Sequence, residues 1–147
     1  MTGGADMTRR SRWLISMAAV AALAVPALAQ DSGEGASQDI ISRQLEAFLA
    51  GDFPQAYSYA SPDIKRLYPT MDRFMSMVQS GYLPVLRPGN YAFGRSEQLS
   101  DGRFEWEVLI DGPDGKGYTA TYYMEQQEDG SWKVDAVMLR HGAPGMT

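Results

Sequence analysis

The chain has 147 residues, with 13 Lys and Arg against 18 Asp and Glu, a formal net charge of −5 and no cysteine. A length of this order holds one domain around a single core. The acidic balance excludes a nucleic-acid partner, whose phosphates would repel it, and the lack of cysteine excludes disulfide cross-links, thiol chemistry and most soft-metal sites.

Residues 7–29 read as a three-part export signal. Thr8-Arg9-Arg10-Ser11-Arg12 supplies positive charge, residues 13–25 are almost wholly apolar, and Ala27-Leu28-Ala29 forms a small-x-small cleavage site before Gln30. The arginines hold the start of the chain on the cytoplasmic side while the apolar stretch partitions into the bilayer. That stretch is shorter than the roughly 20 residues of a spanning helix. Pro26 ends it, so cleavage is favoured over an uncleaved anchor. Arg12 stands where the twin-arginine pattern prefers an apolar residue, which favours the general secretory route, and no cysteine stands at the cleavage point to carry a lipid. Either Met1 or Met7 serves as the start, because residues 1–6 add only a polar leader. The expected product is a periplasmic or secreted bacterial protein, soluble and with no stable membrane anchor. Loss of residues 1–29 removes Arg9, Arg10, Arg12 and Asp6, taking 13 basic residues to 10 and 18 acidic to 17. The remaining 118 residues therefore carry about −7.

After the signal, residues 30–37 are small, polar and glycine-bearing, which predicts a disordered lead-in. Ser37 then caps a helix whose apolar positions Ile41, Leu45, Phe48 and Leu49 follow helical spacing. Gly51 terminates it in the left-handed conformation. Asp52 and Gln55 stand at capping-box spacing with Pro54 in the first turn, which predicts a short helix over 53–60. Ser61-Pro62-Asp63 opens a third piece that runs to about Tyr68, where Pro69 stops it. Thr70 caps a fourth, with Met71, Phe74, Met75 and Val78 on one face and Gly81 at its end. Residues 82–90 carry Pro84, Pro88 and Gly89 and are expected to be an irregular crossover.

From Tyr91 the apolar period becomes 2. Phe104, Trp106, Val108 and Ile110 share one strand face; Tyr118, Ala120, Tyr122 and Met124 share another; Trp132, Val134, Ala136 and Met138 share a third. Ser100-Asp101-Gly102 and Asp129-Gly130 are tight hairpin signals, and Gly112 to Gly117 forms a longer turn. Residues 91–99 make a weaker first strand. Helices followed by an antiparallel meander of four strands predict an α+β layer packing over residues 38–140, with the helices on one sheet face and a flexible tail at 141–147.

Gly51-Asp52-Phe53-Pro54-Gln55-Ala56-Tyr57, then Ser61-Pro62, a helix, and a sheet ending in Asp129-Gly130-Ser131-Trp132-Lys133-Val134 resemble the nuclear-transport-factor-2-like superfamily. More narrowly, this pattern resembles the uncharacterised bacterial family named domain of unknown function 4864. The likeness spans residues 38–139. It implies a cone: N-terminal helices packed on a curved four-stranded antiparallel sheet, with a cavity open at one end. It also implies proteins that range from isomerases, cyclases, dehydratases and epoxide hydrolases to modules that only bind or dimerise, often as homodimers through the outer sheet face. Fold alone does not choose among these.

An enzyme in such a cone needs an ionisable group inside an apolar cavity. Asp135 is the best candidate, an aspartate mid-strand between Val134 and Ala136, where that residue type is disfavoured. Beside Tyr57, Tyr68 or Tyr122 it would form the base and phenol of a cofactor-free lyase or isomerase. Outward solvation beside Lys133 is the plainer reading of the same residue. Aromatics are 11% of the chain, and Tyr57, Tyr68, Phe74, Trp106 and Tyr122 are candidate walls of a pocket for a small, partly apolar ligand. Core packing is the competing reading for Phe74 and Trp106.

Other motifs dissolve into structure. Met71, Met75 and Met77 could offer thioethers to copper(I), but Phe74 and Val78 share their face and packing is preferred. One histidine, His141 in the tail, and no cysteine build no zinc site. Asp111 to Gly115 is too poor in carboxylates for a calcium loop, and Gly115-Lys116-Gly117 precedes a strand rather than a helix. No nucleophile elbow is present. Glu105 and Glu107 share one strand face, as a solvated surface requires. The sequence thus predicts a binding or interaction module without metal or cofactor.

Overall fold

The structure, a computed structural model, describes residues 26–142. The charged and apolar parts of the expected export signal, residues 7–25, lie outside the described residues, as do residues 143–147 of the expected tail. The order is α1 (Pro26–Leu49), α2 (Phe53–Ser58), α3 (Pro62–Leu67), α4 (Met71–Gly81), α5 (Leu83–Leu86), then β1 (Tyr91–Gln98), β2 (Phe104–Asp111), β3 (Gly117–Gln126) and β4 (Trp132–His141). The strands form one antiparallel sheet in chain order, so the α+β arrangement read from the periodicity is the one observed.

The helix joints follow the expected capping chemistry. Asp52, Ser61 and Thr70 accept hydrogen bonds from the backbone N–H groups of Gln55, Ile64 and Arg73, each three residues on. These bonds satisfy donors that a helix start leaves without partners. Gly51 has φ +71°, which lets α1 stop and the chain reverse into α2.

Two parts of the helical layer differ from expectation. Residues 30–37, predicted as a disordered lead-in, belong to α1, and Ser37 lies inside that helix rather than capping it. Its hydroxyl is fully buried, donating to the Glu34 carbonyl at 2.9 Å and accepting the Trp106 indole N–H at 2.9 Å. Gly33 packs so closely on the sheet that a Cβ there would stand 3.2 Å from the Phe104 ring and 3.3 Å from the Trp132 ring. Glu34 also accepts a hydrogen bond from Ser96 on β1. Docking on the sheet thus holds a glycine-rich segment helical against its own propensity. The crossover at 82–90 likewise contains one helical turn, α5, whose Pro84 sits where a missing N–H costs nothing.

In β2, Phe104, Trp106, Val108 and Ile110 are all buried, as their alternation predicts. Tyr122 and Met124 of β3 join them with no exposed area. β4 departs from the pattern. Tyr123 faces Ala136 while Met124 faces Val134, so Asp135 is an extra residue, a β-bulge. The bulge reverses the side-chain phase. Trp132 and Val134 point to the core before it, and Val137 and Leu139 after it, opposite the buried Tyr122 and Ala120. The expected core positions Ala136 and Met138 are displaced, and Met138 is 63% exposed. A second bulge in β1, between Phe93 and Ser96, keeps both residues opposite buried positions of β2. His141, assigned to a flexible tail, instead ends β4 with its ring 4.7 Å from that of Tyr118.

The outer edge of β4 is not bare. Ala60 forms a parallel bridge with Val134, the Ser61 N–H donating to the Val134 carbonyl and the Val134 N–H to the Tyr59 carbonyl, both at 2.8 Å. The α2–α3 joint thus covers an edge that would otherwise offer unpaired groups to another chain. Among the described residues, no helix is long and apolar enough to cross a membrane.

Candidate functional site

The helical layer does not close completely against β4. Between α1, α3, α4, α5 and β4 lies a cavity of about 230 Å³. Phe48 reaches it from α1, Ile64 and Leu67 from α3, Phe74, Met77 and Val78 from α4, Val85 from α5, and residues 134–137 from β4. The helix phases explain the convergence. On α4, Phe74 and Val78 are four residues apart, on the face that packs inward. Leu67, Tyr68 and Met77 also line a shallower groove with Asp72, Arg73, Ser76 and Ser80, so they stand where the cavity meets the surface.

Polar groups around the cavity are mostly committed elsewhere. Gln44, 3% exposed, donates its side-chain amide to the Ala56 carbonyl at 3.1 Å and ties α1 to α2. The Tyr82 hydroxyl donates to the Val137 carbonyl at 3.1 Å. The Tyr57 hydroxyl donates to the Tyr68 carbonyl at 2.7 Å, and the Tyr57 ring packs 5.1 Å from Phe74. Lys65 Nζ lies over the Tyr57 ring, 5.3 Å from its centroid. Its burial, and then the like charge of Lys133, lower its pKa.

Five aromatic residues are the sequence's candidates for the wall, and the fold separates them. Tyr68 and Phe74 line the cavity, and Tyr57 braces both from behind. Trp106 and Tyr122 are buried in the sheet's own core instead. Trp106 stacks edge-on to Phe93 with centroids 5.4 Å apart and hydrogen-bonds Ser37. Among the described residues the buried Tyr122 hydroxyl has no hydrogen-bond partner, and burial raises its pKa. Met77 and Val137 went unread as wall residues. Helical spacing from Phe74 could have suggested the first, whereas the second is visible only once the bulge is known.

Asp135 contributes to the wall of the cavity, but its carboxylate is engaged by residues that do not line it. Oδ1 accepts the Ser61 hydroxyl at 2.8 Å, and Oδ2 stands 3.5 Å from the Arg103 guanidinium. Arg103 in turn lies 5.6 Å over the Tyr123 ring on the outer sheet face. Among the described residues no tyrosine hydroxyl is hydrogen-bonded to Asp135, so the base-and-phenol pair considered from the sequence is not assembled. Carboxylate oxygens of Asp63, Glu125 and Asp135 lie within 4.8 Å of one another, a grouping from three separate elements. Arg103 supplies positive charge to it through Asp135. Glu105 and Glu107 lie on the outer face, where Glu107 faces Arg140 at 3.6 Å and Arg95 at 3.9 Å.

The sequence pattern of one family, described as Domain of unknown function (DUF4864), matches residues 30–146. The chain belongs to that family. No curated protein and no solved structure matches it. The family match contains every residue that lines the cavity, from Gln44 on α1 to Val137 on β4.

Proposed function

We propose that the protein is an exported binding module whose site is the cavity enclosed by α1, α3, α4, α5 and β4. The single observation that carries this reading is the cavity itself: about 230 Å³ left partly open and walled by Phe48, Ile64, Phe74, Val78 and Val85 where the apolar core meets the surface. A concave, mostly apolar site that opens to the surface beside a few polar groups is the usual form of a small-molecule site. The start of the family match at Gln30, next to the expected cleavage site after Ala29, supports a leader followed by a domain. Helices seated in a sheet bent by two bulges support kinship with the nuclear-transport-factor-2-like cone. The rival reading, a lyase or isomerase using Asp135, lacks both a free carboxylate and a phenol partner.

Native mass spectrometry of protein purified from the periplasm tests the whole proposal. The expected species lacks residues 1–29 and carries a small molecule lost on mild activation. A full-length polypeptide confined to the cytosol overturns the export reading. A domain that arrives bare and takes up no apolar compound overturns the binding reading.

A further inference from the structure

The cavity's chemistry selects among ligands by charge. We propose that the site takes an electrically neutral, largely apolar molecule, its apolar body inside and any polar end at the mouth beside Leu67 and Met77; this rests on the binding reading above.

Size sets the first bound. An apolar cavity of ~150 Å³ holds benzene, and this one is about 230 Å³. A single substituted ring or a short alkyl chain fits; a large polycyclic body does not. Charge sets the second. The lining residues include no Lys, Arg or His, so an anion drawn inside would meet no counter-charge. Their one carboxylate is that of Asp135, which is held by Ser61 at 2.8 Å and faces Arg103 at 3.5 Å, both outside the lining. A cation drawn inside would reach only a carboxylate already paired with Arg103, because Asp63 and Glu125, grouped with Asp135, lie outside the lining. Two of the hydrogen-bonding side chains are similarly occupied, Gln44 by the Ala56 carbonyl and Tyr82 by the Val137 carbonyl, while Tyr68 stands where the cavity meets the outer groove. Nothing inside rewards an ionic head.

The mouth gives the orientation. Leu67 is 73% exposed on α3, a large apolar side chain standing in water at the rim. A ligand emerging from the cavity would cover it. Just beyond, Arg73, Asp72, Ser76 and Ser80 line the groove and can solvate a hydroxyl, amide or carbonyl end.

Calorimetric titration of the purified protein with n-octanol, octanoate and n-octylamine at pH 7 separates these features, because the three share a chain and differ in charge. Octanol is expected to bind saturably and at least tenfold more tightly than either ion. Leu67→Asp, at an exposed position, is expected to weaken octanol at least fivefold while the thermal midpoint of the unliganded protein stays within two degrees. Octanoate binding as well as octanol overturns the proposal in favour of an anionic head at Arg73. Octylamine binding best overturns it in favour of an acidic counter-charge. Octanol binding that Leu67→Asp leaves unchanged places the ligand away from this mouth and also overturns it. If none of the three binds, the cavity is not a site, and the reading beneath the proposal falls with it.

Discussion

Single residues decide where this domain is tight and where it is open. Tyr122 is the clearest case: the residue has no exposed area, and its hydroxyl is sealed in without a partner among the described residues. A buried unpaired hydroxyl forfeits its hydration, at a cost of about 1–3 kcal/mol. Tyr122→Phe is therefore expected to stabilise the protein by about 1 kcal/mol, read as a higher denaturant midpoint at unchanged m-value. A loss of stability would mean that the hydroxyl has a partner in solution. Ser37 shows the opposite economy. One buried hydroxyl satisfies both the Glu34 carbonyl and the Trp106 indole, and thereby pins α1 to β2. Nothing in the sequence marks Ser37 for that role, since its partner Trp106 is 69 residues away.

At the level of elements, β4 teaches most. The alternation Trp132, Val134, Ala136, Met138 is a sound strand pattern, yet the bulge at Asp135 shifts the inner face to Val137 and Leu139. Asp135 can stay outside the ladder because Ser61 and Arg103 satisfy its carboxylate. The phase change has a direct check. Met138→Ala, at a position 63% exposed, is expected to alter stability by less than about 0.5 kcal/mol. Leu139→Ala, at the partly buried neighbour packed on the core, is expected to cost about 2 kcal/mol. Equal and opposite results in chemical denaturation would restore the unbroken alternation. The pairing of β2 with β3 needed no such correction, because it runs in continuous register from Phe104 opposite Met124 to Asp111 opposite Gly117.

Across the whole molecule, the three hairpins share one device. Asp101-Gly102-Arg103, Asp114-Gly115-Lys116 and Asp129-Gly130-Ser131 each place a glycine at positive φ and an aspartate whose carboxylate accepts the N–H two residues on, at 2.9 to 3.1 Å. All three carboxyls are held below the usual range. The Arg103 backbone N–H leads for Asp101, the Tyr118 hydroxyl for Asp114, and the Ser131 hydroxyl for Asp129. Because the folded values are depressed, the stability they add is complete above the ordinary carboxylate pKa near 4 and fades as pH falls through the lower folded values. The triple variant D101N/D114N/D129N keeps an acceptor oxygen in each turn but cannot titrate. Its thermal midpoint is expected to fall less steeply than the parent's between pH 4 and pH 2. Identical slopes would show that the turns do not contribute to acid sensitivity.

Sequence alone was enough to establish the helix joints, the four-stranded meander and the side-by-side layers. Those depend on local signals: a capping side chain three residues from its N–H, a glycine at a turn, a period of 3.6 or 2. It was also enough to rule out chemistry that needs residue types the chain lacks. It named Tyr68 and Phe74 as walls, but set Trp106 and Tyr122 beside them, because aromatic residues look alike before their neighbours are known. Only tertiary structure decided that residues 30–37 are helical, that Asp135 is a bulge tied to Ser61 and Arg103, and that α3, α4 and β4 leave a cavity between them. Each of these depends on groups distant along the chain meeting in space, and the free energy of such meetings is not written in any local stretch.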